Sequence, residues 1–204
     1  AINGFGRIGR LILRAGIKDK DLDFVAINNP GDISGLAHLF KYDTVHKKFN
    51  GNVFIKDNSL FIDDKEINIV SETDPEKLPW GKIGVDVVVE STGMFRTYDA
   101  ASKHLKAGAK KVLISAPGKG DGIKTIVKGI NEHSYNGEPI VSNASCTTNC
   151  FAPMAKVIND NFGILDGVMI TVHAYTASQK IVDGSSDDLR EARSAGLNII
   201  PTST

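Results

Sequence analysis

Cysteine is scarce in these 204 residues, neither charge is in excess, and no long apolar run occurs. Each absence excludes something. Lys+Arg 24 balance Asp+Glu 24, so the formal net charge is zero. A basic face for nucleic acid or an anionic membrane surface needs a positive surplus, so neither partner is expected. No segment approaches the roughly 20 apolar residues of a membrane-spanning helix. The opening residues, Ala1-Ile2-Asn3-Gly4, have neither the basic nor the apolar region of a signal peptide. The only cysteines, Cys146 and Cys150, lie close together. A secreted disulfide scaffold carries more and spreads them, so a reducing, cytoplasmic setting is expected. With 41% hydrophobic and 24% charged residues the chain is an ordinary globular mixture, ample for a core. Both ends read as cut. The opening glycine motif normally follows a strand that only Ala1 and Ile2 remain to supply, and Pro201 to Thr204 close on no element.

Along the chain, Gly4-Phe5-Gly6-Arg7-Ile8-Gly9 leads into an amphipathic helix with Ile8, Leu11, Ile12 and Ala15 at helical spacing, stopped by Gly16. Asp23 to Asn28 reads as a strand and Pro30-Gly31 as the turn leaving it. Strand, glycine loop, helix and strand make a βαβ unit with parallel strands. Val53–Lys56, Leu60–Ile62 and Ile67–Val70, separated by Asp57-Asn58 and Asp63-Asp64, have the grammar of hairpins. Val85 to Glu90 predicts a strand buried on both faces. Tyr98 to Lys106 predicts a helix closed by Gly108, and Lys111 to Ala116 a further strand. Thr147 to Phe162 looks helical after Pro139 to Ser142. Gly167 to Thr176 alternates as a strand, with Val168, Ile170 and Val172 on one face. The change of character near Cys146 is the one plausible domain boundary.

The glycine motif has a mechanism. Gly4 permits the tight turn, Gly6 lets the backbone approach a pyrophosphate, and Gly9 allows close helix–strand packing beneath a helix N-terminus. A second strand at the right distance supports dinucleotide binding over a plain turn. About 20 positions on, an acidic residue is expected to hold the adenosine ribose. Asn28-Asn29-Pro30 stands there instead. Asn29 either begins the turn or relaxes the choice between the two nicotinamide cofactors, since it lacks the carboxylate that repels a 2′-phosphate.

Ser145-Cys146-Thr147-Thr148-Asn149-Cys150 follows a strand and opens a helix. A thiol there faces unpaired backbone N–H groups and the positive end of the helix dipole, which favour the thiolate. Two packed structural thiols, or half a metal site, are the alternatives; no common zinc spacing is present. Of the five histidines, His38, His46, His104 and His133 are expected to be solvated. His173 lies in an apolar strand pattern beside Thr171 and reads either as a core residue or as the base that a nucleophilic thiol requires.

Taken together, Asn3-Gly-Phe-Gly-Arg-Ile-Gly-Arg10, Lys41-Tyr-Asp43, Glu90-Ser-Thr-Gly93, Ile114-Ser-Ala-Pro117, Ala144-Ser-Cys-Thr-Thr-Asn-Cys150 and Thr171-Val-His-Ala-Tyr-Thr176 resemble the phosphorylating glyceraldehyde-3-phosphate dehydrogenases, in order, over the whole chain. The resemblance implies an α/β chain: a Rossmann-type parallel-sheet cofactor domain over 1–145, then the beginning of an α+β catalytic domain over 146–204. It implies that Cys146 attacks an aldehyde, that His173 takes the proton, and that inorganic phosphate cleaves the resulting thioester. NAD or NADP would be lined by Asn3, Gly4, Gly6, Arg7, Ile8, Asn28, Asn29, Thr73, Thr92, Gly93 and Ser115. Ser145, Thr147, Thr176 and Thr204 would lie near the phosphate positions. No metal is implied, and the intact chain would be a homotetramer acting on an aldose phosphate.

The departures matter too. Many NAD-specific members have Asp where Asn29 stands and Leu-Pro where Gly184-Ser185 stands, which leans towards NADP. Glu191 replaces an arginine of the inorganic phosphate site, so Arg190 or Arg193 would have to substitute, or phosphate would bind weakly. The family chain continues beyond Thr204. Rival readings are an erythrose-4-phosphate dehydrogenase and a non-catalytic cofactor-binding fragment. A cysteine hydrolase would leave the glycine motif unexplained.

Overall fold

A computed structural model describes residues 1–204, the side chain of Ile33 excepted. The chain divides into two compact units, Ala1–Asn149 and Cys150–Thr204.

The first unit is an α/β layer structure. In chain order it contains β1 (Ile2–Asn3), α1 (Arg7–Gly16), β2 (Ala26–Asn28), α2 (Ile33–Lys41), a small hairpin of β3 (Tyr42–Asp43) and β4 (Lys47–Lys48), then β5 (Val53–Lys56), β6 (Ser59–Ile62) and β7 (Lys65–Val70). A short helix α3 (Trp80–Ile83), β8 (Val87–Glu90), α4 (Tyr98–Lys106), β9 (Lys111–Ile114), β10 (Lys124–Thr125) and β11 (Ile140–Ser142) follow. Helix α5 (Cys146–Phe162) starts four residues after β11.

Nine strands form one sheet in the order β10-β11-β9-β8-β1-β2-β7-β6-β5. From β10 to β7 every pairing is parallel, and β7-β6-β5 close the far edge as antiparallel hairpins. The hairpin turns carry the positive φ angles such turns require, 47° at Asp57, 66° at Asn58 and 55° at Asp63. Order reverses at β1: the chain runs outward through β2 and β7, then returns to place β8 on the other side. A parallel sheet with such a reversal opens a crevice at the carboxyl ends of its central strands.

The βαβ unit and the hairpins agree with the sequence reading, while several details differ. Helix α1 buries Gly9, Leu13 and Gly16 rather than Ile8 and Ala15. The two glycines let it sit so close to β1 and Phe24 that the small residues, not the large ones, define the inner stripe. Strand β2 is shorter than Asp23–Asn28, because ladder pairing begins only at Ala26, which pairs with β7, and only Ile27 and Asn28 find partners in both β1 and β7. Helix α2, capped by the Asp32 carboxylate on the Ser34 and Gly35 N–H groups, was not anticipated. Strand β8 is not buried on both faces, since Val87 is 44% exposed. Phe5, Leu13, Ile27, Phe40, Leu60 and Ile67 centre one core layer; Trp80, Val85 and Val88, and Val112, Ile114 and Ile140, centre the others.

In the second unit the rest of α5 presents Phe151, Met154, Val157 and Phe162 to the surface. Residues 167–176 form no strand, since alternation alone cannot make a ladder. Residues 180–196 fold back on themselves through Ala195 N–H to Lys180 O, Gly184 N–H to Ala192 O and the Arg193–Asp183 ion pair at 2.7 Å. Among the described residues no helix is long and apolar enough to cross a membrane.

Candidate active site

The glycine turn joins the carboxyl end of β1 to α1. Gly4 has φ 91°, and a side chain there would meet Thr92 atoms at 2.8 Å. Gly9 lies against the Gly4 carbonyl, where a Cβ would come within 2.2 Å. Gly6 differs: a Cβ on it would touch nothing within 4 Å. Its lack of a side chain serves no packing purpose, which is what close approach by a ligand requires. Gly6 also begins α1 without a side-chain cap, so the first turn offers backbone N–H groups. This donor set fits the pyrophosphate of a dinucleotide.

Around the turn, the Asn29 carbonyl accepts the Phe5 N–H at 3.0 Å, which directs its amide nitrogen away from the loop. Arg7 pairs with Asp43 at 3.0 Å. The Asp43 carboxyl is drawn down to about 2, first by the His46 N–H, then by Val45 and Arg7. Ser91 donates to the Gly4 carbonyl at 2.6 Å and so ties the glycine turn to the end of β8. Ile8 is exposed beside it. Thr73 is also exposed and bonds through its N–H to the Glu72 carboxylate. Ser115 lies just beyond β9, its N–H on the Glu90 carbonyl. Gly93 holds φ 75° at an open position.

Asn3 and Asn28, both named for the cofactor on resemblance, are buried and committed to protein. The Asn28 amide donates to Asn3 at 2.7 Å and to the Glu72 carbonyl at 2.9 Å, while its carbonyl accepts the Glu72 N–H. Asn3 donates to Glu90 Oε2 at 2.5 Å. Their side chains therefore shape the site from beneath.

Three strands from β1, the carboxyl end of β11 delivers Cys146. Ser142 Oγ accepts the Ala144 N–H and donates to the Ala116 carbonyl, Ala144 turns with φ 61°, and Ser145 caps α5 by accepting the Thr148 N–H at 3.0 Å. Cys146 is then the first residue of α5 and Cys150 lies one turn on; both are exposed. Within the first unit, the strands that lead to the thiol and to the glycine turn, β11 and β1, end at the same edge of the sheet, with three strand spacings of about 4.8 Å, about 14 Å, between them.

His173 lies in the second unit. Its Nδ1 is 2.6 Å from the Ala174 carbonyl, an acceptor only, so Nδ1 carries the hydrogen and Nε2 is the basic nitrogen of the neutral ring. The Thr176 hydroxyl is 3.1 Å from that of Ser178, and Thr204 is exposed. Arg190 is held by Asp188 at 2.6 Å and Arg193 by Asp183, so both candidate substitutes at the Glu191 position are already in ion pairs.

His104 corrects the sequence reading most clearly: it is completely buried, bonded to Trp80 and Glu90. Sequence reasoning missed this pair and the shaping roles of Ser91 and Ser142. An acidic residue ending the apolar run of β8 was the one available signal. Among the described residues no cluster of His, Cys, Asp and Glu could hold a metal ion.

Comparison with known proteins agrees with this geometry. Residues 1–98 match the family described as glyceraldehyde 3-phosphate dehydrogenase, NAD binding domain, and residues 145–204 match its C-terminal domain. The chain is 55% identical to glyceraldehyde-3-phosphate dehydrogenase 1 of Kluyveromyces marxianus over 206 residues, all of this chain and 62% of that protein. It is 54% identical over 204 residues to glyceraldehyde-3-phosphate dehydrogenase of Salmonella typhimurium and to glyceraldehyde-3-phosphate dehydrogenase A of Escherichia coli K12, covering 61% of each. The chain thus spans about three-fifths of the length of these relatives.

Proposed function

Because the chain belongs to the glyceraldehyde-3-phosphate dehydrogenase family, we propose that the protein oxidises an aldose phosphate, glyceraldehyde 3-phosphate, to an acyl phosphate. The observation that carries this is Cys146 as the first residue of α5, on the sheet edge that also holds the glycine turn. We place the boundary between cofactor and catalytic domains at 145/146, supported by the C-terminal-domain match beginning at residue 145.

The helix dipole favours the Cys146 thiolate, which forms a C–S bond to the aldehyde carbon as the carbonyl π bond breaks and the oxygen takes up the proton that the thiol released, becoming a hydroxyl. A nicotinamide cofactor held at the glycine turn would supply the hydride acceptor for this oxidation. His173 takes the hydroxyl proton on Nε2 as the carbonyl re-forms, leaving a thioester on Cys146. Inorganic phosphate then adds at the carbonyl, the C–S bond breaks, and the thiolate returns with release of the acyl phosphate. Ser145, Thr147, Thr176 and Thr204 are assigned to the phosphate groups. Gly4, Gly6, Arg7, Ile8, Asn29, Thr73, Thr92, Gly93 and Ser115 are assigned to the cofactor, with Asn3 and Asn28 supporting them. Reduced cofactor formed by the full-length protein, followed by its absorbance, tests the scheme: Cys146→Ser should abolish turnover, and omission of phosphate should leave a stoichiometric burst. Turnover unchanged in Cys146→Ser would overturn it.

NAD fits this site, and NADP is proposed to be used at least comparably. Asn29 offers an amide donor where a carboxylate would repel a 2′-phosphate, and Gly184-Ser185 replaces the Leu-Pro of many NAD-specific members of the family. A cytoplasmic homotetramer belongs to the same reading; the low cysteine content supports the location, and light scattering of the full-length protein tests the assembly.

A further inference from the structure

Beneath the site runs a polar chain that the reaction scheme does not use. The Glu90 and His104 side chains are both 0% exposed, with His104 Nε2 3.1 Å from Glu90 Oε2. The Trp80 indole N–H donates to His104 Nδ1 at 3.0 Å. An indole can only donate, so Nδ1 is the acceptor and Nε2 carries the hydrogen directed at Glu90. The same carboxylate oxygen accepts from Asn3, and the other accepts the Thr92 N–H at 2.8 Å together with the Thr92 hydroxyl. Thr92 Oγ1 in turn accepts the Met94 N–H at 3.0 Å. The Phe95 ring packs edge-on against the imidazole, with centroids 6.2 Å apart.

A buried carboxylate survives only when its lone pairs are satisfied, and here four donors converge on it. Two of them belong to Thr92, whose backbone leans on Gly4. The orientation of Glu90 therefore sets where Thr92 and Gly93 stand relative to the glycine turn. We propose that His104 is a positioning residue for the cofactor. Held in its Nε2–H form by Trp80, it fixes the Glu90 carboxylate, which moulds the Thr92–Gly93 loop against the pyrophosphate-facing turn.

This rests on the reading of that turn as the cofactor site, so binding by the wild type is measured first. The probe is NADH, titrated into the full-length protein, with melting temperature recorded on the same samples. Glutamine can copy the ring's pattern, accepting from the indole and donating to the carboxylate. His104→Gln should bind within about threefold of wild type. His104→Leu should bind about tenfold to a hundredfold more weakly, the scale of one hydrogen bond to a charged group. Trp80→Phe, which keeps an aromatic ring but loses the N–H, should also weaken binding, and it decides the matter if the Leu variant does not fold. Wild-type affinity in a folded His104→Leu or Trp80→Phe protein, whatever its melting temperature, would overturn the positioning role, as would a folded His104→Gln that binds as poorly as the Leu variant. Failure of the wild type to bind NADH would overturn the cofactor reading and this proposal with it.

Discussion

Gly9→Ala and Gly6→Ala separate packing from binding within one six-residue turn. At Gly9 a methyl group would lie 2.2 Å from the Gly4 carbonyl oxygen, 3.0 Å from Ile2 Cγ2 and 3.1 Å from Ser91 Oγ. The first neighbour is backbone, fixed by the Ser91 hydroxyl, so α1 itself must retreat from β1. Overpacking of this kind costs about 1–3 kcal/mol, and a rigid neighbour places the site at the upper end, about 3 kcal/mol. For a chain of this size that is a fall in melting temperature of about 6–12 °C. At Gly6 the same methyl meets nothing within 4 Å, and φ is −70°, open to any residue. Only the poorer N-cap is left to count, about 1 kcal/mol or less. Gly6→Ala should therefore keep nearly wild-type stability yet lose cofactor affinity by about tenfold or more, because the methyl occupies the pyrophosphate's approach. Thermal unfolding by circular dichroism, paired with NADH titration, reads both. Wild-type NADH affinity in Gly6→Ala would refute the assigned approach path. A Gly9→Ala protein as stable as wild type would refute the packing argument.

Three further outcomes are expected. Iodoacetamide should alkylate Cys146 about tenfold faster than Cys150 at neutral pH, since both are exposed and only Cys146 sits at the helix start; equal rates by peptide mass mapping would remove its standing as the activated nucleophile. His173→Asn should lower kcat of the full-length protein by about a hundredfold or more, and near-normal turnover would make it a structural histidine. Asn29→Asp should shift kcat/KM towards NAD over NADP by about tenfold to a hundredfold, the worth of a charged hydrogen bond; strict NAD dependence of the wild type would show that position 29 does not set the choice.

The fold was legible wherever its signal is local. Turns at Asp57-Asn58 and Asp63-Asp64, the Tyr98–Lys106 helix that ends just before Gly108 and the glycine turn all follow from residue types adjacent in sequence. Helix α2 went unseen because its cap, Asp32, follows Pro30-Gly31 and was absorbed into the turn. The alternation of 167–176 misled for a different reason. A strand is a relation between two segments, and among the described residues no strand ladder includes this one.

The site divides along the same line. Gly4, Gly6, Gly9 and Cys146 announce themselves because their chemistry depends on the backbone immediately around them. Asn3, Glu90, His104 and Trp80 do not, since their partners lie 14 to 101 positions away. In isolation, a histidine on an amphipathic helix with lysines either side reads as solvated. What places it inside is the sum of two needs: an indole N–H without water and a carboxylate that must gather donors. Ala144 makes the point at the catalytic edge. Its φ of 61° is the geometry usually reserved for glycine, and nothing in its identity betrays it. The left-handed residue is held there by Ser142 Oγ, which takes the Ala144 N–H and grips the Ala116 carbonyl. Cys146 thus owes its place at the start of α5 to a hydroxyl four residues back, and the strain of about 1–2 kcal/mol at Ala144 is what that turn costs.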